Sequence, residues 1–241
     1  MIRGTRILLP RKPDTRPAFL LPHYLRPPIF TTPITASQFL LKAAVVWGFI
    51  GMFRFETYSK LGIHNLVVVG KDGREHRISS GSSNELIYYF KRLNAVGFYF
   101  QFTAKYHPVA HAFFSSFTNI SNFWAQYCPV KILLQMAQRG LLTKEIFPKK
   151  ILSSPILSDY LRYIAGKQRG ISGGKFTPHS LRIGGHTFYT MKNMDADFTH
   201  FLGRRAISRV GQLYYRARAY DNIVRLNMFF RSLQSQHILQ F

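Results

Sequence analysis

The sequence has few acidic residues and a single cysteine. Ten Asp and Glu stand against 33 Lys and Arg, so the 241-residue chain carries a formal charge of +23. Such an excess is typical of proteins whose partner is a polyanion: DNA, RNA or an anionic membrane surface. The lone Cys128 excludes an internal disulfide and any zinc finger built on cysteine pairs. We therefore expect an intracellular protein in a reducing compartment.

Long apolar runs and a secretory signal are also missing. Pro10, Pro13 and Pro17 break the N-terminus before any apolar run develops, and the longest run, Ala43 to Phe53, is too short to span a bilayer. We therefore expect no membrane partner. With 46% hydrophobic and 15% aromatic residues, the chain has ample material for a core, which argues against a disordered basic tail.

The composition changes near residue 33. Residues 1–33 are rich in arginine and proline and show no helical or strand period, which predicts an extended arm or linker. Residues 34–241 are predicted to form one domain. In it, Leu66–Val69 reads as a strand. Helical patterns cover a segment from Thr35 or Ser37 to Phe53, then Val130 to Met136, Ile156 to Ala165 and Ser180 to Lys192.

A second hairpin is predicted further along the chain. Phe98 to Lys105 has a strand pattern, His107-Pro108 breaks it, and Ala112–Phe114 follows. This order puts Lys105 at the bend. The surrounding segment, Leu86 to Lys144, contains no Asp or Glu, so any nucleic-acid surface should include part of it.

A helix start at Thr177-Pro178 carries the strongest chemical signal. Threonine is a preferred N-cap, and proline at the first helical position loses no hydrogen bond. His179 and Arg182 then share one face of the first turn, where free backbone N–H groups and the positive end of the helix dipole lie. The pair can bind a phosphate oxygen. Taken alone, it is equally readable as a helix-end histidine and a solvated arginine.

The flanking residues carry a family resemblance. The run 178–187, Pro-His-Ser-Leu-Arg-Ile-Gly-Gly-His-Thr, resembles the second conserved box of the phage-integrase family, the tyrosine recombinases. Residues 202–204, Leu-Gly-Arg, resemble its Leu-Gly-His/Trp box, and residues 214–216, Tyr-Tyr-Arg, its terminal Tyr-x-Arg/His. Upstream, Gly48–Arg54 resembles the first box. The four boxes stand in the family's order over roughly residues 35 to 230.

The resemblance implies a fold and an activity. It implies a mainly helical α+β catalytic domain with a small antiparallel β-sheet. It also implies an enzyme of DNA recombination, integration or transposition that cleaves and rejoins double-stranded DNA through a covalent 3′-phosphotyrosyl intermediate. A subfamily found in mobile elements is one possibility. The family acts as a homotetramer on two duplexes and needs no metal or cofactor. We expect the protein at DNA, in a nucleus or a bacterial nucleoid, with an organelle left open.

Site residues follow from the same resemblance. Arg54 and Arg182 would hold the non-bridging oxygens of the scissile phosphate, since planar guanidinium groups suit bidentate contact. Tyr214 would attack phosphorus, and neighbouring cations would favour its phenolate. His179 would assist proton transfer. Lys105 would protonate the leaving 5′ oxygen.

Two of these roles have a second candidate. Lys71 lies in a Lys-Asp-Gly turn and is the other possible general acid, but only one strand precedes it after the first box, so Lys105 is favoured. Tyr215 is the other possible nucleophile. Tyr214 is favoured because Arg216 completes its Tyr-x-Arg pattern.

The chain departs from the family pattern in three places. Arg204 stands where His or Trp is usual; it can donate to a phosphate but cannot accept a proton. Thr57 occupies the usual acidic position, with Glu56 one place early, and the spacing from Arg204 to Tyr214 is one residue longer than the common form. These departures fit a divergent subfamily or a decayed site, and the intact residues of the other boxes favour the former.

Other functions stay open. A non-catalytic DNA-binding protein derived from a recombinase would share the charge and the boxes, and a type IB topoisomerase uses a similar pocket. The family normally carries a separate N-terminal domain that closes around DNA, and the short arm cannot form one. Either the chain is a fragment, or another chain or the arm itself supplies that grip. His186 and His200 lack a nearby carboxylate or cysteine at ligand spacing, which favours helix packing over a metal site.

Overall fold

The computed structural model describes residues 17–20, 35–79, 82–104, 107–117, 127–169, 175–204 and 217–235. Within these ranges the chain forms an α+β fold of eight α-helices and a four-stranded antiparallel sheet. The helices are α1 (Ala36–Ile50), α2 (Phe55–Tyr58), α3 (Ser83–Ile87), α4 (Pro129–Gln138), α5 (Ser154–Arg169), α6 (Pro178–Met191), α7 (Ala196–Leu202) and α8 (Ala219–Ser235). The strands are β1 (Leu66–Val69), β2 (Glu75–Arg77), β3 (Gly97–Ala104) and β4 (His107–Ser115), in the sheet order β2-β1-β3-β4.

Helix α1 is the buried centre of the fold. It begins with a capping box, in which the Thr35 hydroxyl accepts from the Gln38 N–H at 3.2 Å and the Gln38 side chain accepts from the Thr35 N–H at 3.1 Å. Nearly every residue from Phe39 to Ile50 is buried. Trp47 packs against the aromatic side chains of β3 and β4. The helix thus joins the sheet to the helical layer, because its other side contacts α6.

The end of α1 corrects the sequence prediction. The helix was expected to run to Phe53, but it ends at Ile50. Gly51 donates to the Trp47 carbonyl at 2.8 Å, Met52 adopts the left-handed φ of 46°, and Phe53 donates back to the Gly48 carbonyl at 2.9 Å. This turn reverses the chain immediately before Arg54, so the turn determines where that arginine lies.

Strand β4 corrects a second expectation. His107-Pro108 was predicted to break the strand pattern, yet β4 begins at His107 and includes Pro108. Because β4 is an edge strand, and because its pairing with β3 is irregular between Phe102 and Ala104, the missing proline N–H costs no ladder bond in the sheet interior. The predicted second hairpin is confirmed as the β3–β4 pair. Lys105 lies between these strands, outside the described residues.

The other predicted elements are confirmed with shifts of a few residues at their ends. Strand β1 has the predicted bounds, and α4, α5 and α6 cover the three predicted helical segments downstream. None of the helices in the described part of the chain combines the length and apolar character that a bilayer span requires.

A short piece of the predicted arm packs onto α6. Phe19 is fully buried, donates its N–H to the Ser180 carbonyl at 3.0 Å and meets the Phe176 ring edge-on at 5.4 Å between ring centroids. Gly184 makes this contact possible, because a Cβ there would overlap the Phe19 carbonyl. The rest of residues 1–33 lies outside the described residues.

We predict that Gly184→Ala destabilises the protein although alanine is the better helix former. The gain in helix propensity is at most about 1 kcal/mol. Displacing the Phe19 backbone to make room for the new methyl group costs typically about 1–3 kcal/mol. Gly203→Ala is the matched control, since a Cβ there meets its nearest neighbour, the Thr199 carbonyl, at 3.4 Å. Urea unfolding measures both. A Gly184→Ala midpoint equal to that of Gly203→Ala would contradict the seating of Phe19.

Candidate active site

A cleft of about 450 Å³ separates the start of α2 from the start of α6. The residues that line it are Arg54, Phe55, Glu56, Ser154, Thr177, Pro178 and His179. The fold therefore brings together Arg54 and His179, two predicted site residues that are far apart in the sequence.

The N-terminal end of α6 forms one wall of the cleft. Thr177 is the extended N-cap, and its N–H donates to the Ser180 hydroxyl at 3.1 Å. Pro178 follows at the first helical position, and half-buried His179 comes next. The positive end of the helix dipole and the N–H groups of the first turn accordingly lie beside the imidazole. This wall suits an anion.

Arg54 forms the opposite wall and is accessible from solvent. Its side chain is 40% exposed, and its Nη1 lies 4.0 Å from the carboxylate of Glu56, which is 62% exposed. An ion pair with such exposed side chains and such a long distance contributes little to stability. Thr57, at the family's usual acidic position, is buried instead. Glu56 can therefore be displaced from Arg54 by a stronger anion such as a phosphate.

Arg182 is buried and is not among the residues that line the cleft. Arg182 is only 3% exposed, and its Nη1 donates to the Met52 carbonyl at 2.7 Å. The solvated-charge interpretation of Arg182 is therefore wrong. The two residues of the predicted pair divide their tasks, with His179 lining the cleft and Arg182 reaching the turn that precedes Arg54.

Arg204 is also buried and binds backbone. Arg204 is 8% exposed, and its Nη2 donates to the carbonyls of Gly51 at 2.7 Å and Met52 at 3.0 Å. Its Nη1 donates to the Leu202 carbonyl at 3.1 Å and, in a longer contact, to the His111 carbonyl at 3.4 Å. The guanidinium also lies over the rings of two phenylalanines, Phe53 and Phe102.

One carbonyl thus accepts from two buried guanidinium groups. Met52 supplies it, and the donors come from the second and third boxes of the predicted family pattern. Sequence reasoning missed this turn. Gly51 signals a helix end, but nothing local marks Met52 for the left-handed region, which residues with a Cβ rarely adopt.

The remaining predicted site residues are distributed as follows. Lys105, Tyr214 and Tyr215 lie outside the described residues. Lys71 is exposed in the β1–β2 turn and does not line the cleft.

His186 and His200, the two histidines weighed as metal ligands, pack against each other. The rings of His186 and His200 stack with centroids 5.6 Å apart and planes inclined by 17°. Such stacking agrees with the helix-packing role expected for them. Among the residues that the structure describes, no three metal-ligating side chains come together.

His111 connects the sheet to Arg204 and has a perturbed pKa. Burial lowers the pKa of the His111 imidazole below its ordinary value, while the nearby Glu75 carboxylate acts in the opposite direction. The ring meets Tyr99 edge-on at 5.0 Å between centroids, and the backbone carbonyl accepts from Arg204. The folded protein therefore favours neutral His111.

Comparison of the chain with protein-family models, with curated proteins and with solved structures finds no match.

We predict unequal losses of stability for the same substitution at two arginines. Arg182→Met leaves the buried Met52 carbonyl with fewer donors and should lower the free energy of unfolding by about 1–3 kcal/mol. Arg54→Met, at an exposed side chain, should change it by less than about 0.5 kcal/mol. Urea denaturation compares them directly. Equal losses would mean that Arg182 does not support the turn.

We also predict an acid-sensitive contribution from His111. Folding lowers the pKa of His111, so the unfolded chain binds the proton more readily than the folded protein. The contribution of neutral His111 to the free energy of unfolding is therefore fully present only above the unfolded-state pKa of 6.5. Stability should fall as the pH drops through 6.5 toward the folded pKa. In His111→Gln the decline between pH 7.5 and 5.5 should be shallower, as measured by thermal unfolding. Parallel declines would disprove the assignment.

Proposed function

We propose that this protein breaks and rejoins double-stranded DNA as a tyrosine recombinase of the mobile-element type. The observation that carries the proposal is the meeting of three predicted boxes at one place. Arg54 and His179 line the same cleft, and the guanidinium groups of Arg182 and Arg204 bind the turn that holds Arg54. The formal charge of +23 supports a polyanionic partner.

The cleft offers a phosphodiester three kinds of attraction. Arg54 can bind two oxygens at once, because a guanidinium presents parallel N–H groups. The first turn of α6 adds N–H donors and the positive end of its dipole. Fixed donors of this kind also stabilise the extra charge of a pentacoordinate transition state.

The proposed reaction conserves the phosphodiester bond energy. The Tyr214 phenolate attacks phosphorus, the bond from phosphorus to the 5′ oxygen breaks, and that oxygen takes a proton from Lys105. His179 assists proton transfer. The product is a 3′-phosphotyrosyl link and a free 5′-hydroxyl, and attack by a 5′-hydroxyl reverses the step. A homotetramer on two duplexes would then exchange strands.

A non-catalytic DNA-binding role is the second candidate. It is favoured by the burial of Arg204, which binds backbone carbonyls at the position where the family has a His or Trp. Such a protein would bind DNA with the same strong salt dependence but would form no covalent link.

The decisive test is covalent capture on nicked duplexes from a random-sequence pool, in which the short cleaved strand diffuses away. We expect a denaturant-resistant protein–DNA adduct that Tyr214→Phe abolishes and Tyr215→Phe retains. Arg54→Gln should slow adduct formation by about 100-fold or more. DNA binding without any adduct would favour the second candidate. Loss of the adduct only in Tyr215→Phe would move the nucleophile to Tyr215.

The general acid is tested by changing the leaving group. Replacing the bridging 5′ oxygen by sulfur makes the leaving group a thiolate, which needs no proton because thiol pKa values lie near 8.5. We expect Lys105→Ala to be slow on ordinary DNA and to recover on the sulfur substrate. Lys71→Ala should behave like the unmodified protein on both. Recovery confined to Lys71→Ala would reverse the assignment.

A further inference from the structure

Arg204 has contacts that a phosphate-binding residue would not need. The four carbonyls that accept from its guanidinium belong to three different parts of the fold: Gly51 and Met52 in the turn after α1, Leu202 at the end of α7, and His111 in β4. The aromatic rings of Phe53 and Phe102 cover it further. Its charged group is thus directed into the fold.

We infer that Arg204 is a positioning residue, which joins the Arg54 turn to the β3–β4 hairpin and does not contact the DNA phosphate. The guanidinium is suited to this role because it is planar and presents several N–H donors in fixed directions. Lysine, with one ammonium group on a flexible stem, cannot span the same set of carbonyls.

The backbone conformations of Met52 and Arg204, the two partners of one of these hydrogen bonds, support the inference. Met52 has φ of 46° and Arg204 has φ of 50°, so each lies in a backbone conformation that residues with a Cβ seldom adopt. The Arg204 N–H also donates to the Phe201 carbonyl at 2.9 Å, which ends α7 and turns the side chain toward Met52. Two unfavourable conformations are maintained at the same contact.

The consequence is mechanical coupling between two parts of the proposed active site. The turn carries Arg54, which lines the cleft. The predicted general acid, Lys105, comes directly after β3 in the sequence and lies outside the described residues. With Arg204 in place, the two parts hold a fixed separation. Its catalytic consequence rests on the proposed function, whereas its consequence for backbone protection does not.

Backbone protection is the first test and needs no activity. In Arg204→Met, amide hydrogen exchange in residues 51–56 and 109–115 should accelerate by about 10-fold or more. Local opening of these segments then no longer has to break the hydrogen bonds that the Arg204 guanidinium makes with them, so it costs less free energy. Arg204→Lys should lie between Arg204→Met and the unmodified protein, and keeps the test usable if Arg204→Met fails to fold. Met136→Ala, in the buried face of α4, controls for general loss of stability when compared at equal fraction folded. Unchanged exchange in both segments would overturn the inference.

Charge removal on the DNA is the second test. A methylphosphonate at the scissile position replaces one charged oxygen by a methyl group, so a variant that lacks a phosphate-binding arginine should recover on it. We expect Arg54→Gln to recover at least 10-fold relative to ordinary DNA and Arg204→Met to be slowed equally on both. Selective recovery of Arg204→Met would show that Arg204 contacts the phosphate. If the unmodified protein forms no adduct, the proposed function fails while the exchange result still decides the positioning role.

Discussion

The site depends on the hydrogen bonds that two buried guanidinium groups donate to the carbonyl of Met52. Arg182 reaches it from α6 and Arg204 from the end of α7, so one oxygen atom connects three helices at the reversal after α1. The backbone of Met52 is held in a conformation that costs on the order of 1 kcal/mol for a residue with a Cβ. Two charge-assisted hydrogen bonds are sufficient to stabilise it.

These contacts also affect the cleft electrostatically. A neutral carbonyl oxygen satisfies a donor without cancelling its charge, so the contacts with Met52 leave both guanidinium charges in place. The charges lie at the turn that immediately precedes Arg54. The buried arginines can therefore support the site through this turn without touching a ligand.

Local signals in the sequence predicted the parts of the fold that local chemistry determines. Thr177-Pro178 marked the start of α6, and the apolar run Leu66–Val69 marked β1, because capping and strand propensity act within a few residues. The left-handed turn at Met52 and the burial of Arg204 depend on contacts that span 152 residues. The strand status of Pro108 depends on β4 being an edge, which only the sheet order reveals. Arg54 and His179 were predicted to act together by resemblance, not by any short-range pattern.

The two glycines of α6 have a consequence for the direction of its first turn. A Cβ on Gly184 would overlap the Phe19 carbonyl, and one on Gly185 would overlap the Phe49 carbonyl. Consecutive positions point about 100° apart around a helix axis. Backbone therefore packs against α6 from two directions at close range, and the helix cannot roll about its own axis. Contacts about one and a half turns further along the helix therefore help to set the orientation of His179 toward the cleft.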